Sequence, residues 1–469
     1  MRDKANTMQT ENIPRGTLQI TLTNGLQYLV IGLFYIAVTK SGALSPAEVG
    51  ALSLLSFLSS TVFLFTGLTL PTALTKFVSE KLGKSQWEEA AAIKRTVTRL
   101  VLGLSVAGLV IGGVLSKWLS NFLLNSSSYL PLVLLTLIHA FLLTMIDLYK
   151  STLQALYLFG KLALVSLLVI IISRGSAVTF AILNLGLKGV LLGYIAGGFA
   201  ALIVALIFVH GRLPTPSHSA PIKPLLKFSI PLLISGLTML VLNWADILII
   251  NMATHDHSLV GVYHITVNSV TALSILWIPV TTTILPALSS KHGLKKPEDI
   301  TSILKTSSRY LFYLTIPSCL GLAAISPTAL EFFYGVEYTI GAPPMSILCV
   351  AILNTAFYSI LTTGLTAVGK TTDILKINIV LALSTLALLP ILVSFFQILG
   401  AAFSRLITQV ISVALAYFLL KKEVDVQIDK EAVWKSTLAS LGFLPLVLTL
   451  EATVAPYLTT TKTLAIELL

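Results

Sequence analysis

The sequence predicts an all-α, polytopic membrane protein made of two pseudo-symmetric halves, and three observations carry that expectation. Charged residues are 11% of the chain and apolar residues 55%, at a mean hydropathy of +0.90, whereas a soluble domain carries roughly 25% charged residues. Apolar segments near the ~20 residues that cross a bilayer as a helix recur along the chain, Gln27–Val38, Val101–Leu115 and Leu406–Leu420 lying within three of them. Short motifs also repeat at offsets of 210–215 residues.

Thirteen spans follow from the hydropathy pattern, at 17–39, 47–74, 97–117, 129–149, 159–180, 187–209, 226–250, 259–288, 309–326, 343–363, 374–396, 399–420 and 435–453. Residues 1–15 are polar, with Arg2, Lys4 and Arg15, and the apolar run after them is too long for a signal peptide. With the N-terminus cytoplasmic, twenty-five of the 31 lysines and arginines fall on the inner side and Arg405 lies within a span. Only Lys40, Lys117, Arg174, Lys188 and Lys462 fall outside. The net charge of +11 is therefore the positive-inside bias of a multi-pass protein, and no nucleic-acid partner is implied.

In chain order, the first span holds Asn24, Gln27 and Tyr28 as its strongly polar groups and has no acid. The second ends at Pro71, and Lys76–Arg99 with Glu80, Glu88 and Glu89 reads as a solvated amphipathic linker. The third carries Gly103, Gly108, Gly112 and Gly113, small residues that allow close helix packing in lipid. Asn125-Ser126-Ser127 is a glycosylation sequon, poorly accessible so near the membrane. The fourth span sets Thr136, His139, Leu143, Asp147 and Lys150 on one face, and the fifth and sixth are almost wholly apolar. Gly211–His218 is rich in Pro and Ser and marks the boundary between halves. Residues 1–211 then form the first lobe, 212–224 a cytoplasmic linker, 225–421 the second lobe, and 422–469 one or two extra helices.

The second half repeats the first. Leu70-Pro71 recurs as Leu285-Pro286 at an offset of 215, and Val49-Gly50 as Val260-Gly261 at 211. Thr96, Arg99, Ser116 and Phe122 recur at 210 as Thr306, Arg309, Ser326 and Phe332, and Leu153 and Ala155 at 212 as Leu365 and Ala367. Six spans per copy give parallel repeats related by an axis along the membrane normal.

The polar groups that need explaining lie in Phe228–Lys291. Met239, Asn243, Asp246 and Ile250 are spaced 4, 3 and 4, and so share one helical face. Asp246 lies deep in its span, where an ionised carboxylate costs roughly 2.5–3.5 kcal/mol. It either pairs within the bundle and fixes helix register, or lines a cavity where it binds a coupling cation or responds to substrate charge. Asn243, His264 and Asn268 divide between helix packing and cavity lining, and Asp147 with Lys150 between a local ion pair and a substrate contact. Arg405 is either a phosphate ligand or a snorkelling side chain. Cys319 and Cys349 read as small core residues. His255-Asp256-His257 has no third ligand nearby, so no metal site is expected. No Walker, nucleophile-elbow or Rossmann pattern stands in a suitable context. Neither an ATPase nor a cofactor is indicated.

Trp244–Ile250, followed by Val260-Gly261-Val262-Tyr263, resembles the polysaccharide transporter (O-antigen flippase) family, and Leu70–Glu80 is similar to that family's second-helix ending. The likeness spans roughly residues 14–420. The wider superfamily of multidrug, oligosaccharidyl-lipid and polysaccharide exporters implies two six-helix lobes in a V, the MATE-like shape, opening alternately to each side. The family's acidic seventh-helix position maps onto Asp246. Drug exporters of the superfamily typically carry an acid on the first helix, where this chain has Asn24, and the arginine–aspartate pair of lipid II flippases is missing there too.

The resemblance implies a monomeric plasma-membrane flippase, not an enzyme. It would carry a polyprenyl-(pyro)phosphate-linked oligosaccharide from the inner to the outer leaflet, with membrane lipids as neighbours and H+ or Na+ as the candidate coupling ion at Asp246. Asn24, Gln27, Tyr28, Asp147, Asn243, Asp246, His264, Asn268 and Arg405 are the expected cavity-lining residues. The alternative is a cation-coupled exporter of drugs or small metabolites. A membrane glycosyltransferase would need a paired-acid loop outside, and the outer loops offer only Glu48, Asp256, Glu331 and Glu337.

Overall fold

Backbone in lipid must satisfy its own hydrogen bonds, which leaves long apolar runs one solution, the helix. The computed structural model describes residue 23, residues 25–294 and residues 296–467, and these contain no strand. Eight of their helices are long and apolar enough to cross a membrane, or nine if a pair bent by 76° at Ile325 counts as one span. Two of the eight, 159–209 and 371–421, are each interrupted midway.

In the first of these, α7 (Phe159–Phe180) turns through Asn184, at φ 65°, into α8 (Gly186–Val209). The two helices pack antiparallel: Gly189, Gly193 and Gly197 lie against Phe180, Ala177 and Ser173 in turn. A Cβ at Gly193 would overlap the Ala177 backbone, and Ser176 Oγ donates to the Gly193 carbonyl at 3.0 Å. In the second, α15 (Thr371–Lys421) breaks at Gln397, where φ is 51° and ψ −126°, between the two spans expected there.

The remaining helices of the first half are α1 (Gly25–Lys40), α2 (Pro46–Gly67), α3 (Leu70–Gly83), α4 (Trp87–Val114), α5 (Ser116–Leu124) and α6 (Leu130–Ala155). A reciprocal cap starts α2, with Ser45 N–H donating to Glu48 at 2.9 Å and Glu48 N–H to Ser45 Oγ at 3.4 Å. After α9 (Ile222–Thr254) come α10 (His257–Thr271), α11 (Ile278–Gly293), α12 (Pro297–Ala324), α13 (Ser326–Tyr334) and α14 (Ala342–Ala367), with α16 (Lys430–Glu467) following α15. The duplication is visible in these bounds. Helices α12 and α13 begin and end 210 residues after α4 and α5, and α14 begins and ends 212 after α6.

Several sequence expectations change. The stretch 76–99 is helical rather than a linker: α3 and α4 meet at a tight turn through Ser85, at φ 58°. Leu70, Leu74 and Val78 on one helix and Ala90, Ile93, Val97 and Val101 on the other are buried together, while Lys84 and Glu80 pair at the surface at 2.7 Å. The expected span 259–288 is broken. After Thr271 the chain tightens into a 3-10 stretch at Ala272–Leu276 and turns at Trp277 before α11 starts at Ile278, where Pro279 has no N–H to give the preceding turn. Of the one or two helices expected at the C-terminus, the described residues form one, Lys430–Glu467.

The chain divides into compact units at Leu240/Val241, inside α9. The stretch 212–224 packs on the first unit. Thr96 Oγ1 accepts from Ala220 N–H at 2.9 Å and donates to the Ala220 carbonyl at 3.2 Å, while Arg95 donates to the Pro216 carbonyl at 3.0 Å. The core of the second unit joins α12, α14 and α15 through Leu304, Leu311, Phe357, Ile360, Ile377 and Leu420.

Candidate functional site

Asp246 shares a face of α9 with Met239, Asn243 and Ile250, and the residue is only 5% exposed. Its partner comes from 159 residues further on. Arg405, two turns beyond the break in α15, donates from Nη2 at 2.7 Å and from Nε at 3.0 Å, both to Asp246 Oδ2. The other carboxylate oxygen, Oδ1, accepts the Ile247 N–H at 2.9 Å. The Asp246 side chain is 6% exposed and that of Arg405 26%, so the pair is buried on the acid side and open on the guanidinium side. Tyr263 of α10 is fully buried, and its phenol stands near both charges without a well-aligned hydrogen bond to either.

The open side is a cavity of about 300 Å3 lined by Asn243, Trp244, Asp246, Ile247, His264, Val267, Asn268 and Arg405. His264 and Asn268 sit one turn apart on α10, and Asn268 Nδ2 donates to the His264 carbonyl at 2.8 Å. The Trp244 and His264 rings stack at 6.2 Å with 15° between planes. Two amides, an imidazole, an indole and a guanidinium thus share one concave surface. Such a wall hydrogen-bonds hydroxyls, stacks on flat apolar faces and binds an anion at the guanidinium.

Five of the sequence-predicted residues, Asn243, Asp246, His264, Asn268 and Arg405, converge on this cavity. Asp147 does not. It lies in the first unit on a separate cavity of about 230 Å3, with Thr23, Lys150, Ser151, Gln154, Leu162, Ala163 and Ser166. Gln27 is half-buried and Tyr28 exposed on α1, and neither is among the residues lining these two cavities. Asn24 lies outside the described residues. The motif His255-Asp256-His257 is a helix start, Asp256 accepting from Ser258 N–H at 2.7 Å and Leu259 N–H at 3.4 Å.

Sequence reasoning missed Arg174, which counted only as an outer-side charge. It lies within α7, its guanidinium 4.7 Å from the Phe34 ring and 4.4 Å from the Tyr194 ring. Its Nη1 is buried without a hydrogen bond among the described residues. His139 adjoins it, with its ring 5.2 Å from that of Tyr194 and its Nδ1 3.3 Å from Ser59 Oγ. Aromatic faces hold this charge in place of a carboxylate. The available signal was a lone arginine two-thirds of the way along the mainly apolar 159–180 span.

Known proteins align with this architecture. A family profile described as "Polysaccharide biosynthesis protein" matches residues 43–343. A probable low-salt glycan biosynthesis flippase, Agl15 of Haloferax volcanii, is 22% identical over 437 residues, covering 92% of this chain and 88% of the relative. Among solved structures, lipid II flippase MurJ in an inward closed conformation superposes with a TM-score of 0.75 at 14% identity, over 95% of this chain and 98% of that one. A multidrug resistance MATE family transporter of the MOP superfamily, inward-facing, gives 0.69 at 12% identity, over 85% and 94%. These two likenesses establish the fold.

Proposed function

The chain belongs to the polysaccharide biosynthesis protein family, and from that membership we propose that it is a flippase for a lipid-linked saccharide. In full, it moves a polyprenyl-(pyro)phosphate-linked oligosaccharide from the inner to the outer leaflet of the cell membrane by alternating access, for surface polysaccharide or glycoprotein assembly. It acts as a monomer with its N-terminus cytoplasmic, and it is a transporter rather than an enzyme. The observation that carries this reading is the Asp246–Arg405 pair on the wall of an amide- and indole-lined cavity.

The chemistry follows from that pair. A guanidinium is matched bidentately by phosphate as well as by carboxylate, so the (pyro)phosphate competes with Asp246 for Arg405. Once displaced, the Asp246 carboxylate is an uncompensated buried charge, and a proton or Na+ relieves it. Charge exchange at one guanidinium thus links anion loading to cation loading. The asparagines and His264 hydrogen-bond the first sugars, and the polyprenyl tail stays in lipid. A potential negative inside favours outward movement of the phosphate by about 2.3 kcal/mol per charge per 100 mV.

The test is expression in a cell lacking its own flippase. Restored surface-glycan assembly is expected. Resistance to cationic drugs without glycan rescue would refute the proposal and assign the cavity to a drug or metabolite exporter.

A further inference from the structure

Among the described residues, the cavity of the first unit has five polar side chains on its wall that make no hydrogen bond. Asp147 and Lys150 project from one face of α6 into about 230 Å3, together with Ser151 and Gln154 of the same helix and Ser166 of α7. Among the described residues, none of these five side chains makes a hydrogen bond or an ion pair. The carboxylate and the ammonium, one helical turn apart, do not close on each other. Ser151 and Ser166 are buried, Asp147 and Lys150 half-buried, and Gln154 is exposed at the rim; buried polar groups normally find partners, so the inner part of this surface awaits a polar occupant.

Charge selects the occupant. A phosphate drawn to Lys150 meets the Asp147 carboxylate, and a bare cation drawn to Asp147 meets the Lys150 ammonium. A neutral polyol offends neither. Its hydroxyls donate to the carboxylate in pairs, accept from the ammonium, and do both with Ser151, Gln154 and Ser166. At ~30 Å3 per water, the space holds several waters that a sugar ring would displace. We infer that Asp147, Lys150, Ser151, Gln154 and Ser166 form a saccharide subsite in the first unit, which takes an uncharged sugar through its hydroxyls. This rests on the flippase reading for its substrate class and adds a place for the glycan distinct from the phosphate-reactive pair at Arg405.

The experiment uses the full chain in lipid nanodiscs and saturation-transfer NMR with methyl α-mannoside, methyl β-glucoside and methyl β-N-acetylglucosaminide as probes. Wild type is expected to bind at least one of them saturably. Asp147→Asn and Lys150→Met, checked for unchanged size-exclusion profile and thermal midpoint, should each weaken that binding tenfold or more, the size of a lost hydrogen bond to a charged group. Asp246→Asn should leave it within about twofold, although it removes the pair on which the flippase mechanism depends. Binding lost in Asp246→Asn but kept in Asp147→Asn would overturn the subsite, as would no saturable binding of any probe to wild type. Sodium binding to wild type that Asp147→Asn abolishes, without sugar binding, would make it a cation site instead. Glycan rescue in cells with no sugar binding here would sink the subsite and leave the flippase reading standing.

Discussion

Removing Arg405 should damage the protein more than removing Asp246, because the two ends of the pair sit in different surroundings. In Arg405→Met, the Asp246 carboxylate keeps only the Ile247 N–H as a donor among the described residues, at 5% exposure. Breaking a buried ion pair by deleting one partner costs about 3–5 kcal/mol. The cavity of about 300 Å3 beside it admits water, so the low end, ~3 kcal/mol, is expected here. In Asp246→Asn, the amide oxygen still accepts from the guanidinium, and Arg405, 26% exposed on its side chain, turns to water; a cost of about 1 kcal/mol follows. The double variant buries no stranded charge and should be about as stable as Asp246→Asn alone, giving a coupling energy of about 2–3 kcal/mol. Equilibrium unfolding of the four proteins in mixed micelles measures it. A coupling within ~0.5 kcal/mol of zero would refute the argument that the pair holds α9 to α15.

Gly193→Ala should lower folded yield sharply, because the added Cβ meets the Ala177 backbone, whereas Gly103→Ala, with nothing within 4 Å, should be tolerated; fluorescence-detected size exclusion compares the two. Thr96→Val removes both hydrogen bonds to Ala220, worth ~1 kcal/mol each, and limited proteolysis should then cut 212–220 faster with little change elsewhere. Asp429 is held below the usual carboxyl range by the Ala432 N–H and the Arg309 guanidinium. Its contribution to docking α16 on α12 is therefore complete above the unfolded value of about 3.9 and is lost as pH falls through the lower folded value. The exchange protection of the 430–445 amides, relative to their intrinsic rates, should be flat from neutral pH to about pH 5 and fall only below about pH 4. Asp429→Asn should lower that protection at neutral pH.

Hydropathy and the internal repeat made the all-helical, duplicated fold legible, since both depend on composition and local order. The reversal at Gln397 stands where the apolar run between Thr371 and Lys421 becomes too long for one span. The amphipathic helices α3 and α4 were hidden by their own lysines and glutamates, which resemble a linker until Leu70, Leu74 and Val97 are seen to be buried. The break at Trp277 was available in Pro279, but the apolar run on both sides of it read as one span. At the site, Asp246 and Arg405 were each visible as a charge in the wrong solvent. Their meeting was not, because no periodicity connects positions 159 residues apart. The same limit hid Arg174, whose stabilising groups are the faces of Phe34 and Tyr194 on two other helices. Aromatic partners leave no charge pattern to find.

The most direct measurement is translocation in proteoliposomes of a polyprenyl-pyrophosphate-linked saccharide, followed by a membrane-impermeant probe of the saccharide, for wild type, Asp246→Asn and Arg405→Met. The account predicts translocation by wild type well above protein-free vesicles, and a fall to the protein-free rate in both variants at equal incorporation. Wild type no faster than protein-free vesicles, or Asp246→Asn as fast as wild type, would contradict it.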